Sequence, residues 1–356
     1  MRSLVLVAAT AAAAALACNA QAQTQAHQMQ YQAVRLQMAD VYKTTGCVVN
    51  AINATGWTAG QCKDATHWVP SMWDPQGNQV LPATMPNALD TYVNGINAGG
   101  ELAGWYRTSG LISHALRWNA TGQPAVLADS GNSTAAALDD SGNVVGLDFS
   151  GPPQAVVWHE DGTVLRLAFP TGAVNTAATA INAVGTIVGA GVFQASNGTP
   201  YTSPVIWKRL VPSRLMPDQT SGIIGADAVN GQGIVVGNDS TPNATQTPYE
   251  WKGTTTAQLP GLSGGTGAMA AALNSNLIVG SARDSTGTPF AVKWTFGKVQ
   301  KLQPVTVMPR SLQDGTLATA SAINANGWIA AGYLSNTAPF NRPVVLQPIT
   351  TPADAE

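Results

Sequence analysis

Four aspartates, Asp64, Asp148, Asp239 and Asp284, stand in polar stretches that each follow a short apolar run. Two such carboxylates held about 5 to 10 Å apart across a cleft could work on a glycosidic bond, one as acid and the other as base or nucleophile. That arrangement would make the chain a hydrolase or lyase acting on an extracellular polysaccharide. A second group, Trp68, Trp105, Tyr106, Arg107, Tyr201, Tyr249, Arg283 and Arg342, offers flat amphipathic rings beside guanidinium donors. Those side chains can hold a carbohydrate, a peptide or another envelope protein without reacting with it. Phe193 and Arg310 fall in the same kind of stretch.

Other chemistry is thin. His67, His114 and His159 lie in different segments with no second histidine at ligand spacing, so no zinc site is expected. Neither a G-x-S-x-G elbow, a phosphate loop nor H-E-x-x-H occurs, Asp139-Asp140 is an adjacent turn pair, and no cofactor is expected. With 17 Lys and Arg against 19 Asp and Glu, the chain has a net charge of -2 and lacks the basic footprint of a nucleic-acid or anionic-lipid binder. The expectation is a non-enzymatic binding or surface-interaction module, with the polysaccharide-active enzyme as the alternative.

Whatever these residues do, a repeat must position them. The string AINAVGTIVG at 180–189 returns as AINATGWTAG at 51–60, GINAGGELAG at 95–104, ALDDSGNVVG at 137–146 and AVNGQGIVVG at 228–237. Two looser copies are ALNSNLIVG at 272–280 and AINANGWIAAG at 322–332, where Ala331 takes the tenth place. In each, Asn or Asp opens a turn through its side chain and Gly closes it, between two short apolar strands. The turn openers Asn53, Asn97, Asp139, Asn182, Asn230, Asn274 and Asn324 could ring a channel mouth, but one charge among seven does not make a metal site. Their expected role is the Asx-turn itself.

After each hairpin comes a third apolar strand, usually ending on Trp (73, 118, 158, 207, 251, 294), and a fourth after a further turn, as in GTVLRLAFP at 162–170. Four strands per period, repeated seven times, describe a seven-bladed β-propeller of four-stranded antiparallel blades. The blades begin near 47, 91, 133, 176, 224, 268 and 318, in one domain spanning 23–356, and a Trp at blade period is packing material. The template, with His114-Ala115-Leu116 opening a third strand and a G-x-x-x-x-L fourth strand, resembles the HAF repeats of bacterial extracellular proteins. That resemblance implies export and a repeat fold, and carries no catalytic residue across.

The turns within the two hairpins of a blade are short, whereas the second-to-third and blade-to-blade gaps, such as 191–203 and 238–248, read as long. Function is expected on that long-loop face. The last copy lacks a fourth strand, and Tyr31–Met38 has no partner of its own, so Val34-Arg35-Leu36, echoing Leu165-Arg166-Leu167, is expected to close the last blade beside Pro343–Gln347. Residues 1–22 read as a signal peptide cut after Ala22, which implies secretion; lipid attachment at Cys18 is the alternative. No other segment approaches a membrane span. Cys47 and Cys62 then remain as an even pair, and a turn around Ala54 and Thr55 sets them opposite each other for a disulfide.

Overall fold

The computed structural model describes residues 30–128, 131–302, 308–337 and 341–349; the expected signal peptide and Cys18 lie outside them. The outermost strand of the last blade comes first in the chain, as β1 (Gln30–Arg35). Blade 1 is β2 (Cys47–Ile52), β3 (Thr58–Lys63), β4 (Trp68–Trp73) and β5 (Gln79–Val80). Blade 2 is β6 (Asp90–Ile96), β7 (Leu102–Arg107), β8 (Ser113–Trp118) and β9 (Pro124–Val126), and blade 3 is β10 (Ser133–Leu138), β11 (Val144–Asp148), β12 (Gln154–Trp158) and β13 (Val164–Arg166). Blade 4 is β14 (Ala173–Ile181), β15 (Ile187–Gln194), β16 (Pro200–Lys208) and β17 (Val211–Arg214). Blade 5 follows as β18 (Ile224–Val229), β19 (Val235–Asp239), β20 (Thr247–Lys252) and β21 (Thr255–Gln258). Blade 6 is β22 (Gly267–Leu273), β23 (Ile278–Arg283), β24 (Pro289–Thr295) and β25 (Lys298–Lys301), and blade 7 is β26 (Gly315–Ile323), β27 (Ile329–Ser335), β28 (Asn341–Ile349) and β1. Every sheet is antiparallel with four strands, six of them as consecutive meanders and the seventh completed by β1, so the protein is a seven-bladed β-propeller.

The N-terminal strand closes the ring. Strand β1 pairs with β28 from Gln30↔Ile349 to Arg35↔Val344. It ends three residues before the expected Met38, because Leu36 and Met38 turn inward and are buried. Leu36 nonetheless keeps the place of the fourth-strand leucine: its N–H bonds Pro343 O, as the Leu167 N–H bonds Ala155 O in blade 3.

Apolar packing runs in seven clusters among the described residues, one in each seam between neighbouring blades. The third-strand tryptophans sit there as expected, each at most 2% exposed. Five of them also donate the indole N–H to the carbonyl two residues beyond the previous blade's outer strand, or nearby: Trp73 to Gln37, Trp118 to Ala83, Trp158 to Ala128, Trp207 to Ala168 and Trp294 to Pro260. Trp251 Nε1 is buried without an acceptor. Its counterpart carbonyl, Met216 O, instead receives Gln219 N and Ser203 Oγ in the connection after β17. In blade 7 the place falls to Leu346.

Two further rings tie the inner strands. The turn openers do more than shape their own turns. Each asparagine accepts N–H groups of its turn on Oδ1 and donates Nδ2 to the backbone carbonyl of the next blade's turn opener. The pairs run Asn53 to Asn97, Asn97 to Asp139, Asn182 to Asn230, Asn230 to Asn274, Asn274 to Asn324 and Asn324 back to Asn53. Asp139 has no donor to pass on, and its second oxygen accepts Asn143 Nδ2. Above this ring every inner strand carries a bulge, at Asn50, Asn94, Ala136, Thr179, Asp227, Ala271 and Ser321. Asn50, Asn94, Thr179 and Ser321 use the bulge to reach the carbonyls of Val93, Ala135, Ala226 and Val49 in the next blade.

The bulge also explains the tenth-place glycine. Beside it, a Cβ on Gly60, Gly104, Gly146, Gly189, Gly237 or Gly280 would come within about 2.0 Å of an inner-strand carbonyl oxygen. Cys47 and Cys62 form a disulfide with Cα atoms 4.0 Å apart. Their turn is wider than expected, spanning Asn53 to Trp57, which shifts the pairing to Ile52↔Thr58; the extra residue at Asn50 shifts it back to Cys47↔Cys62.

Candidate functional site

The end of the ring carrying the second-to-third-strand turns differs from the sequence expectation. Most of 191–203 is strand, since β15 runs to Gln194 and β16 starts at Pro200, whereas 238–248 keeps the connection 240–246 between β19 and β20. The long connections are those between blades, such as 81–89 and 215–223. Several residues expected on exposed loops are therefore built into blades. Tyr201 is 7% exposed and stacks on buried Phe193, with Arg214 over both rings. Tyr249 is 8% exposed, stacks on Trp251 and accepts Gln258 Nε2 on its hydroxyl. Tyr106 is buried against His114. Arg342 donates to Ser311 O at 2.7 Å and faces Asp314, whose carboxyl the Ser335 and Thr337 hydroxyls hold down at about 2. Arg283 is exposed and folds back on Gly287 O of its own turn, and Arg310 is exposed in a short 3-10 turn.

What the fold does bring together is Trp68, Trp105 and Arg107, with two residues the sequence reading passed over, Tyr92 and Lys63. Tyr92 lies on β6, the inner strand of blade 2, and its ring stacks on Trp105 across the β6–β7 pair, with centroids 4.2 Å apart and planes at 22°. Trp68, at the tip of β4 in blade 1, has its ring 6.4 Å from Tyr92, and Lys63 Nζ lies 5.9 Å from the Trp68 centroid. All three rings are partly exposed. Asp90 fixes the group: it accepts the Trp68 backbone N–H at 3.0 Å and pairs with Arg107. Burial acts to raise the Asp90 carboxyl, but that N–H and the guanidinium hold it below the ordinary carboxylate value. The Tyr92 phenol is raised by burial and by Asp90, and so stays neutral. The Arg107 Nε is buried without an acceptor, which leaves the guanidinium short of one bond.

A signal for Tyr92 exists in the sequence. The register places it level with Val48, Thr134, Ala177, Gly225, Met269 and Thr319 of the other blades, and Trp105 level with Gln61, Leu147, Ala190, Asn238, Ser281 and Gly332. Blade 2 alone puts aromatics at both places.

The four acids considered for catalysis are distributed over blades 1, 3, 5 and 6, each opening the turn after a second strand. Asp64 accepts the N–H groups of Thr66 and His67, Asp239 the N–H and the hydroxyl of Thr241, and Asp284 the N–H groups of Thr286 and Thr288. Asp148 accepts the Ser150 N–H and pairs with Arg166. The Thr66 and His67 N–H groups lower Asp64, and the Thr286 hydroxyl lowers Asp284. Burial pushes Asp148 up, but Ser150 and Arg166 bring it below its ordinary value. Held ionised, Asp64, Asp148 and Asp284 are poorly placed to donate a proton.

A concavity opens on the opposite end of the ring, between the lower edges of blades 1 and 2. Its volume is about 290 Å³, and Trp57, Met72 and Pro82 form its walls. Among the described residues no group of His, Cys, Asp and Glu is arranged to hold a metal, and no helix is long and apolar enough to cross a membrane.

No family model matches the chain, and no curated protein matches it. Among solved structures it is similar to an oligogalacturonate lyase from Vibrio parahaemolyticus, at TM-score 0.56 and 11% identity, covering 88% of this chain and 93% of that one. It is also similar to a puromycin hydrolase, at TM-score 0.55 and 13% identity, where it spans 52% of the other chain, and to YCF48 bound to D1 peptide, at TM-score 0.50 and 11% identity, covering 90% and 97%. At such identities the likeness is one of fold.

Proposed function

We propose that this propeller is an exported binding module that takes a carbohydrate on the Trp68, Tyr92 and Trp105 rings. The observation that carries the reading is that these three partly exposed aromatics meet at one end of the ring, where Trp68 of blade 1 reaches the Tyr92–Trp105 pair of blade 2, the one blade with aromatics at both of those register positions. A pyranose presents C–H groups to such rings and hydroxyls to their rim, where Lys63 and Arg107 supply donors. The polysaccharide-active alternative has less support, since its four acids are committed to turns in separate blades. Export is supported by the disulfide and by the signal-like first residues. It also accords with the HAF-repeat resemblance, which remains part of this proposal.

Titration of the purified protein with a panel of neutral and uronic-acid oligosaccharides, followed by tryptophan fluorescence, tests the reading. At least one should bind, and Trp105→Ala should weaken it about tenfold or more with little change in melting temperature. Undiminished binding by Trp105→Ala would place the ligand elsewhere. A fall of many degrees in its melting temperature would make the ring a packing element.

A further inference from the structure

The cleft between the lower edges of blades 1 and 2 arises from a single break in the repeat. In six blades a leucine follows the outer strand and its N–H bonds a third-strand carbonyl: Leu36 to Pro343, Leu127 to Ala115, Leu167 to Ala155, Leu215 to Pro204, Leu259 to Pro248 and Leu302 to Ala291. Their side chains fill the seam with the next blade; Leu36, Leu167, Leu259 and Leu302 are at most 4% exposed. In blade 1 the β4–β5 register, Trp73↔Gln79 and Met72↔Val80, carries Pro82 into that position. Proline has no N–H to give. Strand β5 stops after two residues, Val80 and Leu81 are left 44% and 53% exposed, and the seam keeps the cleft of about 290 Å³.

We propose that this cleft binds an uncharged aromatic ring bearing an N–H or O–H donor, an indole or a phenol, either as a free molecule or as a side chain of a peptide. Three features of the lining select that chemistry. No ionisable side chain lines the cleft, so a charged ligand would lose its hydration without compensation. Trp57, Met72 and Pro82 offer a ring face, a polarisable sulfur and a flat apolar edge, all suited to an aromatic guest. Thr55 and Thr121, also in the lining, already give their hydroxyl protons to Asn53 Oδ1 at 2.9 Å and Asn119 Oδ1 at 2.8 Å. Those hydroxyls can only accept, and a ligand that donates is the one they complement. The size agrees, since an apolar cavity of about 150 Å³ takes a benzene ring, and this one has room for a substituted or bicyclic one.

The site stands apart from the proposed carbohydrate face and is tested without it. Four probes are titrated by calorimetry: indole, 1-methylindole, benzoate and N-acetyltryptophan amide. Indole should bind, 1-methylindole about tenfold more weakly or worse, and benzoate not at all. Tighter binding of N-acetyltryptophan amide than of indole would identify a peptide as the source, and weaker binding a free small molecule; both orders support the site. Pro82→Leu restores the residue of the other six blades and should abolish indole binding while melting no lower than the parent. Thr55→Val and Thr121→Val together, which leave the walls intact, should erase the difference between indole and 1-methylindole. The proposal is overturned if none of the probes binds, if benzoate binds as well as indole, or if Pro82→Leu binds indole as tightly as the parent protein does.

Discussion

Asp139 is the residue that breaks the ring of turn openers, and the break can be repaired. An asparagine there would still accept the turn N–H groups of Ser141 and Asn143, and would gain a donor facing the carbonyl of Asn182, at the position where the other six already give one, in exchange for the bond from the partly exposed Asn143 amide, which water can replace. Asp139→Asn is expected to raise the unfolding free energy by about 1 kcal/mol, read from urea denaturation. An unchanged midpoint would mean that blades 3 and 4 sit too far apart for the clasp. Asp227 makes the opposite case. It stands at a bulge where solvent in the channel reaches it, yet the surrounding blades strip away hydration and push its carboxyl up to about 6, against the bond from Asn238. A raised acid favours the folded state while protonated in the fold alone, so this contribution is fully present below about pH 4 and is lost as pH rises toward about 6. Asp227→Asn should therefore be more stable than the parent above pH 6, with the difference closing by pH 4; denaturation midpoints across that range would reveal a constant difference if the carboxyl is ordinary. The Asx-turns were legible in the sequence because a turn is read within one repeat. The clasp was not, since it depends on how far one blade's turn lies from the next.

At the scale of elements, the third-strand tryptophans combine two contributions that the structure separates. Trp158 fills the seam and donates to Ala128 O, whereas Trp251 fills the seam with its N–H unmet. Trp158→Phe leaves a carbonyl without its partner, and Trp251→Phe removes an unpaired donor. The first should cost about 1 kcal/mol more than the second, measured as the difference in unfolding free energy; equal losses would show that packing alone sets the tryptophan at this place. The packing role was readable from blade period. The bond was not, because its acceptor belongs to the preceding blade. The disulfide was readable through a compensation: a turn wider by one pairing step is corrected by the bulge at Asn50, so the cysteines meet as a simpler hairpin would have them meet. The misjudged gaps had a plain cause. Gly, Ser, Asn, Thr and Pro across 191–203 read as loop, but only 195–199 turns, and blade 4 carries its strands through 191–194 and 200–203, because the long first strand β14 supplies a partner for β15 and β15 one for β16.

For the molecule as a whole, blade count and closure were legible because the last copy lacked one strand and the first residues offered one. Strand β1 covers the edge of β28, with Tyr31, Ala33 and Leu36 buried beneath it. Removing everything before Leu36 should bare that edge and lower the melting temperature by several degrees or cause aggregation; a shortened chain that melts like the parent would show that the ring holds through its other seams. The candidate sites were less legible. Both lie where blades 1 and 2 depart from the repeat, at Tyr92 with Trp105 and at Pro82, and a departure shows only after the register has aligned the blades.

The closing pair also dictates an order of events. Gln30 and Ile349 are neighbours in space although nearly the whole chain separates them, and the same holds for Asn53 and Asn324 in the ring of turn openers. While the chain is being made, β1 emerges before all seven hairpins and has no lasting place until β28 follows. The intervening blades can form as hairpins, but their last seams are joined only across a loop of that length, whose entropy must be met before the contacts that reward it. Closure of the ring thus waits for β28, and a ribosome that still holds that strand holds an open ring.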